Sequence, residues 1–349
     1  MTRKEKILRL QLSQVAGIGP ATFVKVLEKF GTVSSFLECD SRVKSKIMRN
    51  CRLSGSLVGY DFDTSDFLVL GEQNYPHLLS QMNDPPPVIF KSGSISDLNN
   101  CNFLSIVGTR KPSDYGNEMA RQITTRAVEK GFVVVSGLAL GIDSVAHRAA
   151  LEAGGETVAI LGTGIRNVYP RTNIPLASKV KNKGLLLSEF HNPPDTQKHL
   201  FPRRNRIIAG ISTATIVVEA PEKSGALITA DFAFNYNRFV YAVPSNASSF
   251  RGRGGNKLIQ SNKAKLFTSI EDILVDLSPT LTGDSRQLDE NHEDPLVTVL
   301  CSGASNFDEI LKSVNMTAAK LRQSLTDLEL RGVIAKDVLG NYTVLTTKS

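Results

Sequence analysis

From residue 101 onward, short apolar runs rich in β-branched residues recur: Phe103–Val107, Phe132–Val135, Thr157–Leu161, Leu185–Leu187, Thr215–Val218 and Phe239–Val243. Between most of them lie segments of helical length, among them Asn117–Glu129, Ser144–Ala153, Pro175–Lys183 and Ala226–Tyr236. A strand with one wet face alternates polar and apolar residues; runs that are apolar throughout belong to strands covered on both faces. Parallel strands also need long crossovers, which the helical segments supply. The pattern predicts an α/β domain built on a doubly wound, mostly parallel, Rossmann-like sheet. In such a sheet ligands collect at the carboxyl ends of the strands, where helix N-termini point.

Five passages that leave those ends are unusual in content. After the first strand come Gly108, Thr109 and Arg110: the glycine lets backbone close on a phosphate, and a guanidinium fork stands two residues on. After the second, the run Ser136-Gly137-Leu138-Ala139-Leu140-Gly141-Ile142-Asp143 leaves room over the sheet edge, and the third gives Gly162-Thr163-Gly164. The fourth opens into a long loop with Lys198, His199 and Phe201, and the fifth into Glu219-Ala220-Pro221-Glu222-Lys223-Ser224-Gly225. Each alone is as readily a plain tight turn. Together on one edge they predict an anion-binding rim, with Ser136, Gly137, Ser224 and Gly225 among its contacts.

The run Phe201-Pro202-Arg203-Arg204-Asn205-Arg206-Ile207-Ile208-Ala209-Gly210 sharpens the expectation. It reads as a helix start, where free N–H groups and the dipole favour anions, joined by three guanidinium groups. Arg203, Arg204, Asn205 and Arg206 are therefore expected at phosphates. Lys198 and Phe201 supply the cation and ring that single-strand binding combines, although Phe201 reads equally as a core side chain.

Charge points the same way. The net +7 is uneven: residues 1–60 carry 11 Lys/Arg against 4 Asp/Glu and residues 101–275 carry 22 against 13, while residues 61–100 and 276–349 are acidic. A basic sheet domain suits a polyanion such as nucleic acid. Catalytic machinery is harder to place. Asp143 and His147 stand at i, i+4 on one helix face, but no nucleophile elbow or second carboxylate accompanies them, so a brace within the helix is expected. Cys39, Cys51, Cys101 and Cys301 lie far apart with no C-x-x-C pair, which fits reduced structural cysteines and no metal; no cofactor is expected either. No segment approaches the ~20 apolar residues of a membrane span, and Met1–Lys6 is too charged for a signal peptide, so a cytoplasmic location is expected.

The rest of the chain divides by composition. Residues 1–60 read as a small helical domain, and Gly17-Ile18-Gly19-Pro20 ahead of the amphipathic Ala21–Phe30 is similar to half of a helix-hairpin-helix. Residues 61–275 hold a turn-rich connector and the sheet; residues 276–294, with six acidic side chains against Arg286, read as an acidic linker. Residues 295–349 give helix, turn, leucine-periodic helix and hairpin, the order of a winged helix. With six basic and five acidic residues that unit suits a protein contact or a structural appendage better than base reading.

The ordered motifs are Tyr75-Pro76, Asp84-Pro85-Pro86, Val107-Gly108-Thr109-Arg110, Tyr115-Gly116, Ser136-Gly137-Leu138-Ala139 with Gly141-Ile142-Asp143, and His147. Gly162-Thr163-Gly164, Tyr169-Pro170, Ser188-Glu189, the Phe201–Gly210 run, Glu219-Ala220 and Ser224-Gly225 with Leu227-Ile228-Thr229-Ala230 follow. Over nearly the whole length this set resembles the DNA-processing protein A family, also called Smf. The resemblance implies a non-enzymatic recombination mediator that binds single-stranded DNA, protects strands entering during natural transformation and loads the RecA recombinase on them. It further implies a homodimer through the Rossmann domain, phosphate contacts at Arg110 and Lys198, and Phe201 as the matched aromatic. Ser245 and Lys263 depart from glycines of the family pattern, which puts local turn geometry in question. An enzyme of the phosphoribohydrolase type would need Pro-Gly-Gly-x-Gly-Thr where this chain has Ala220-Pro221-Glu222-Lys223-Ser224-Gly225, and a dinucleotide fingerprint lacks its third glycine after Gly162 and Gly164.

Overall fold

The computed structural model describes residues 1–15, 17–47, 63–95, 97–191, 200–281, 296, 299–300, 306–314, 316–330, 334–336 and 342–344. The first elements are helices α1 (Arg3–Ser13), α2 (Pro20–Phe30), α3 (Val33–Glu38) and α4 (Ser41–Ile47). Strand β1 (Phe67–Val69), the single turn α5 (His77–Ser80) and β2 (Val88–Gly93) follow. The sheet then builds through β3 (Asn102–Val107), α6 (Asp114–Glu129), β4 (Phe132–Ser136), α7 (Ile142–Glu152), β5 (Thr157–Leu161), α8 (Ile174–Lys183) and β6 (Leu185–Ser188). It continues with α9 (Leu200–Ile211), β7 (Ala214–Val217), α10 (Gly225–Asn235), β8 (Phe239–Ala242), α11 (Arg253–Gln260), β9 (Lys265–Leu266) and α12 (Ile270–Leu281).

The strands pair in the order β1-β2-β6-β5-β4-β3-β7-β8-β9. The seven from β3 to β9 run parallel, and β1 and β2 add an antiparallel edge. Winding proceeds outward from β3 through β4, β5 and β6, then restarts beside β3 at β7, so the order reverses between β3 and β7. Alternate side chains of each strand enter separate cores, as the two-residue period requires. Phe103, Val107, Val133 and Ile160 pack with α9 and α10 through Ile207, Ile208, Ala226 and Ala230. Leu104, Ile106, Val134 and Ile216 pack with α6, α7 and α12 through Ala120, Ile123, Ala146 and Ile273. The two covering layers explain why the strands read as unbroken apolar runs.

Residues Met1–Leu277 form one compact unit. The Glu5 carboxylate explains part of that union: it accepts from Val33 N at 2.8 Å and Ser34 N at 3.1 Å, capping α3, and from Arg9 Nε at 2.9 Å. Arg9 in turn donates to the Leu70 carbonyl beside β1. Burial alone would raise the Glu5 carboxyl, but the bonds from Val33, Arg9 and Ser34 outweigh it and hold it below the usual carboxylate range. The helices expected over residues 1–60 are thus present as far as Ile47, docked on the β1–β2 edge, and residues 48–62 lie outside the described residues.

Residues 276–281, read as the start of a linker, are instead the last turns of α12; residues 282–295 lie outside the described residues. The second unit, Ser278–Ser349, holds α13 (Phe307–Ser313) and α14 (Ala318–Leu330). A two-stranded antiparallel ladder follows, β10 (Ile334–Lys336) with β11 (Tyr342–Val344). Its own core includes Leu296, Ile310, Leu321, Leu325 and Tyr342, and Asn306 with Glu309 forms a capping box at the start of α13.

The two departures from glycine are absorbed locally. Asn256 clamps Ser245, accepting from its N–H at 3.1 Å and donating to its carbonyl at 2.8 Å. The left-handed residue after α11 is Asn262, at φ 56°, which leaves Lys263 free to pair with Asp231 at 2.7 Å.

Candidate nucleic-acid interface

The reversal of strand order between β3 and β7 opens the sheet's carboxyl edge at the turn Gly108–Arg110. Thr109 N donates to the Glu219 carbonyl at 2.6 Å, tying the turn after β3 to the one after β7. A Cβ on Gly108 would lie 2.5 Å from Ile142 Cγ1 and 3.0 Å from the Glu219 carbonyl, so close packing dictates this glycine. Gly141, at φ 78°, lets the next turn rest on the same loop: a Cβ there would stand 2.3 Å from Thr109 O and 2.8 Å from Arg110 Cα. The outcome is a supported turn that holds Arg110 at the surface.

Two anion cradles of the sheet are filled from within. The Glu219 carboxylate, 2% exposed, accepts from Ser113 N at 2.9 Å and Ser113 Oγ at 2.6 Å at the start of α6. That helix end, following the first parallel strand, is where a nucleotide fold would seat its pyrophosphate. A Cβ on Gly116 would come within 2.3 Å of Glu219 Oε2, so the glycine is needed to admit the carboxylate. At the next turn Asp143 Oδ2 accepts from Gly137 N at 3.1 Å and Ala139 N at 3.4 Å. Burial pushes the Asp143 carboxyl up, against the Arg204 charge and these bonds.

These carboxylates correct part of the expected anion rim. Ser136 is fully buried and donates to the Ile106 carbonyl at 2.7 Å, and the Gly137 N–H is spent on Asp143. Ser224 caps α10 by accepting from Ala226 N at 3.3 Å, while the Gly225 carbonyl accepts from Asn205 at 3.1 Å. All four serve the fold.

The arginine run divides in the same manner. Arg204 is 6% exposed, donates to the Ile160 carbonyl at 2.7 Å and lies against Gly137, where a Cβ would be 1.7 Å from its Nη1. Burial lowers its guanidinium to about 10, opposed by the Asp143 charge and assisted by that of Arg110. Arg206, 3% exposed, pairs with Glu189, approaches the Asp84 carboxylate at 3.6 Å and donates to the Asp84 carbonyl. Arg204, Asn205 and Arg206 therefore face inward, contrary to their expected place at phosphates. Arg203 stays at the surface, over the Phe190 ring at 5.3 Å with Glu189 at 3.3 Å.

What the fold does bring together is Arg110 and Phe201. The Arg110 guanidinium carbon stands 5.8 Å from the Phe201 ring centroid, and the half-exposed Tyr169 ring lies 5.7 Å from the same ring at 50°. Gly162 makes room for this cluster, since a Cβ there would sit 2.8 Å from Phe201 Cδ1. Lys198 lies outside the described residues. Sequence reasoning missed Tyr169, Arg166 and Arg171 in the loop after β5, and Phe250 and Arg251 in the loop after β8. Their position after strand ends was the available signal. Phe250 is 68% exposed, and Arg251 donates to the Lys111 carbonyl at 2.9 Å, joining two loops of the rim. No described carboxylate lies within ion-pair distance of Arg110, Lys111, Arg166, Arg171 or Arg251. The edge is thus cationic, with unpaired guanidinium groups and rings interleaved.

Asp143 and His147 do not pair with each other. Thr157 Oγ1 donates to the Val134 carbonyl at 2.7 Å, so its contact with His147 Nδ1 at 2.8 Å is received from an Nδ1–H. Burial, then Arg204 and Arg148, push the fully buried His147 down to about 3. Its folded pKa lies below the unfolded one near 6.5, so its contribution is complete above pH 6.5 and is lost as the unfolded chain takes the proton. About 2 kcal/mol of stability should vanish between pH ~6.5 and ~5. Urea midpoints across that range check this, and His147→Asn, which keeps a donor toward Thr157 and cannot titrate, should flatten the slope.

With this geometry in place, the comparisons with known proteins are direct. The model of the family described as DNA recombination-mediator protein A matches residues 66–278. Protein Smf of Synechocystis is 35% identical over 297 residues, covering 79% of this chain and 74% of its own. DNA processing protein DprA of Bacillus subtilis is 40% identical over 228 residues, covering 65% and 76%. Among solved structures, DNA processing protein A from Streptococcus pneumoniae aligns with a TM-score of 0.63 at 32% identity, covering 78% of this chain and 98% of that one. A Helicobacter pylori DNA processing protein A, from work on its single-stranded DNA binding mode, aligns at 0.55 and 26% identity, covering 61% and 96%. The matched span runs from β1 through nearly all of α12 and so contains every loop of the cationic rim. The chain belongs to the DNA recombination-mediator protein A family.

Proposed function

We propose that this protein is a single-stranded DNA-binding recombination mediator that protects incoming strands and loads the RecA recombinase on them in natural transformation. The observation that carries the reading is the Arg110–Phe201–Tyr169 cluster on an edge whose cations have no described carboxylate partner. Rings accept unpaired bases by stacking, and guanidinium groups hold the phosphates between them; a duplex offers its phosphates but keeps its bases stacked inside. Lys198, three residues before Phe201, adds a further cation in this reading, and Arg203 another. The family relationship and the subject of the Helicobacter structure support it.

The protein acts by binding, without turnover. Glu219 fills the cradle that a nucleotide-cleaving enzyme of the phosphoribohydrolase type would need open, which argues against that alternative. The protein works as a homodimer joined through the sheet domain: the edge strand β9 presents Leu266, 46% exposed, and Phe234 is equally exposed. The C-terminal unit is a winged helix that makes a protein contact. Among the described residues no helix is long and apolar enough to cross a membrane, which fits a cytoplasmic site of action.

Fluorescence anisotropy with single- and double-stranded oligonucleotides across a salt series tests the reading. Preference for the single strand is expected, with log K falling against log salt at about 0.7 per neutralised phosphate, or roughly −2 to −4 in all. A flat salt response, preference for duplex, or base released from nucleoside monophosphates would overturn it.

A further inference from the structure

Beside the Arg110–Phe201 cluster, a groove of about 480 Å³ runs between α8, the β2–β6 pair and the loop after β5. Phe90, Ile165, Val168 and Leu186 give it apolar lining, while Lys91, Arg166 and Lys181 supply charge. Asp66 is the one carboxylate among its described lining residues. None of the three cations has a described carboxylate within ion-pair distance. Three uncompensated cations around an apolar trough suit a ligand that alternates anionic groups with flat apolar ones.

A ring also faces the groove. His191 lines it, half-buried, with its centroid 5.3 Å from that of Phe90. Burial, then the Arg166 charge, push His191 down, with Asp66 pulling the other way. Near neutral pH it is an uncharged ring, backed by Phe90 and able to receive a base.

The groove is continuous with the rim. Val168 lines it and is the chain neighbour of Tyr169, whose ring packs on Phe201. The ridge between the two places is fixed: Ile165 N donates to the Phe190 carbonyl at 2.9 Å, and Asn167 N to the Gly164 carbonyl at 2.8 Å. A strand leaving Phe201 across Tyr169 therefore enters the groove at Arg166.

We propose that this groove takes a second stretch of the same DNA single strand, its phosphates among Arg166, Lys91 and Lys181 and one base against His191. The inference rests on single-strand binding at the rim and gives that strand its direction of travel across the protein. A strand long enough to fill both places binds more tightly than one that fills the rim alone.

Binding of oligothymidylates of about 4 and about 15 nucleotides, lengths that bracket the ~4–16-nucleotide footprints of single-strand sites, tests the groove separately from the rim. In Lys91→Gln/Lys181→Gln the long oligomer should bind about tenfold more weakly, with a salt slope reduced by about 1.4, two phosphates at ~0.7 each. The short oligomer should change less than about twofold, near the noise of a rim that keeps its contacts. In His191→Ala only the long oligomer should weaken, with its slope kept, because a ring releases no counterions. Arg110→Ala, by contrast, should weaken both lengths. Unchanged affinity and slope for the long oligomer in the double variant would overturn the groove and leave the rim standing. An equal loss for both lengths would also overturn it, since that is the mark of a general field. Failure of the unmodified protein to bind either oligomer would overturn the rim and the groove together.

Discussion

Removing both members of the central cluster, as in Arg110→Ala/Phe201→Ala, is expected to weaken single-strand binding about 100-fold, close to 2.7 kcal/mol. The two parts have different signatures. Stacking of one base on a ring is worth about 1–3 kcal/mol and is indifferent to salt, so Phe201→Ala should cost about tenfold at every ionic strength. Arg110 holds a phosphate, so Arg110→Ala should lower affinity by a similar factor and reduce the salt slope by about 0.7. Phe201 also lies over Gly162, and Phe201→Leu separates the two duties by keeping side-chain bulk while losing the stacking face. Anisotropy titrations at three salt concentrations, beside a melting curve for each variant, read all of this. Affinity preserved in the double variant with an unchanged melting curve would mean the strand lies elsewhere.

Arg206→Met is expected to lower stability by about 3–5 kcal/mol, the usual cost of stranding one member of a buried ion pair. Its partner Glu189 has a side chain only 4% exposed and keeps just the peripheral Arg203 at 3.3 Å. Urea unfolding measures the loss. Pairing the change with Glu189→Gln removes the stranded charge and should recover a large part of it, a non-additivity that a double-mutant cycle quantifies. Arg206 also anchors the segment at Asp84, whose carboxylate accepts from Tyr236 Oη at 2.8 Å, so the variant should loosen the approach to β2 as well. If Arg206→Met instead left unfolding unchanged and weakened DNA binding, the arginine would be a phosphate ligand after all.

The sheet was legible because its strands are buried on both faces and so carry no polar alternation to confuse with a helix. β1 and β9 were not, being three and two residues long, shorter than any period can register. Arg204 was misassigned although its phase was visible: it falls at i with Ile207, Ile208 and Ile211 at i+3, i+4 and i+7, the apolar stripe of α9. Arg206 falls off that stripe and is covered only because the segment around Asp84, 122 residues earlier, folds over it. No local pattern announces such a partner. The same holds for the glycine turns, where sequence indicates room for an anion and only the assembled chain reveals that Glu219 and Asp143 already occupy it. Arg110 beside Phe201 was anticipated from the turn and from the family resemblance; Tyr169 between them and the neighbouring groove was not.

The carboxylates of Glu219 and Asp143 bear on how a protein of this shape fares in a cell crowded with ATP and other free nucleotides. With the deep seats taken, a single nucleotide finds one cation and one ring at a time and leaves quickly. A long chain of nucleotides touches many such points at once, and each bond already made raises the local concentration for the next. Selection for polymer over monomer thus comes from closing the interior rather than from any feature that recognises length.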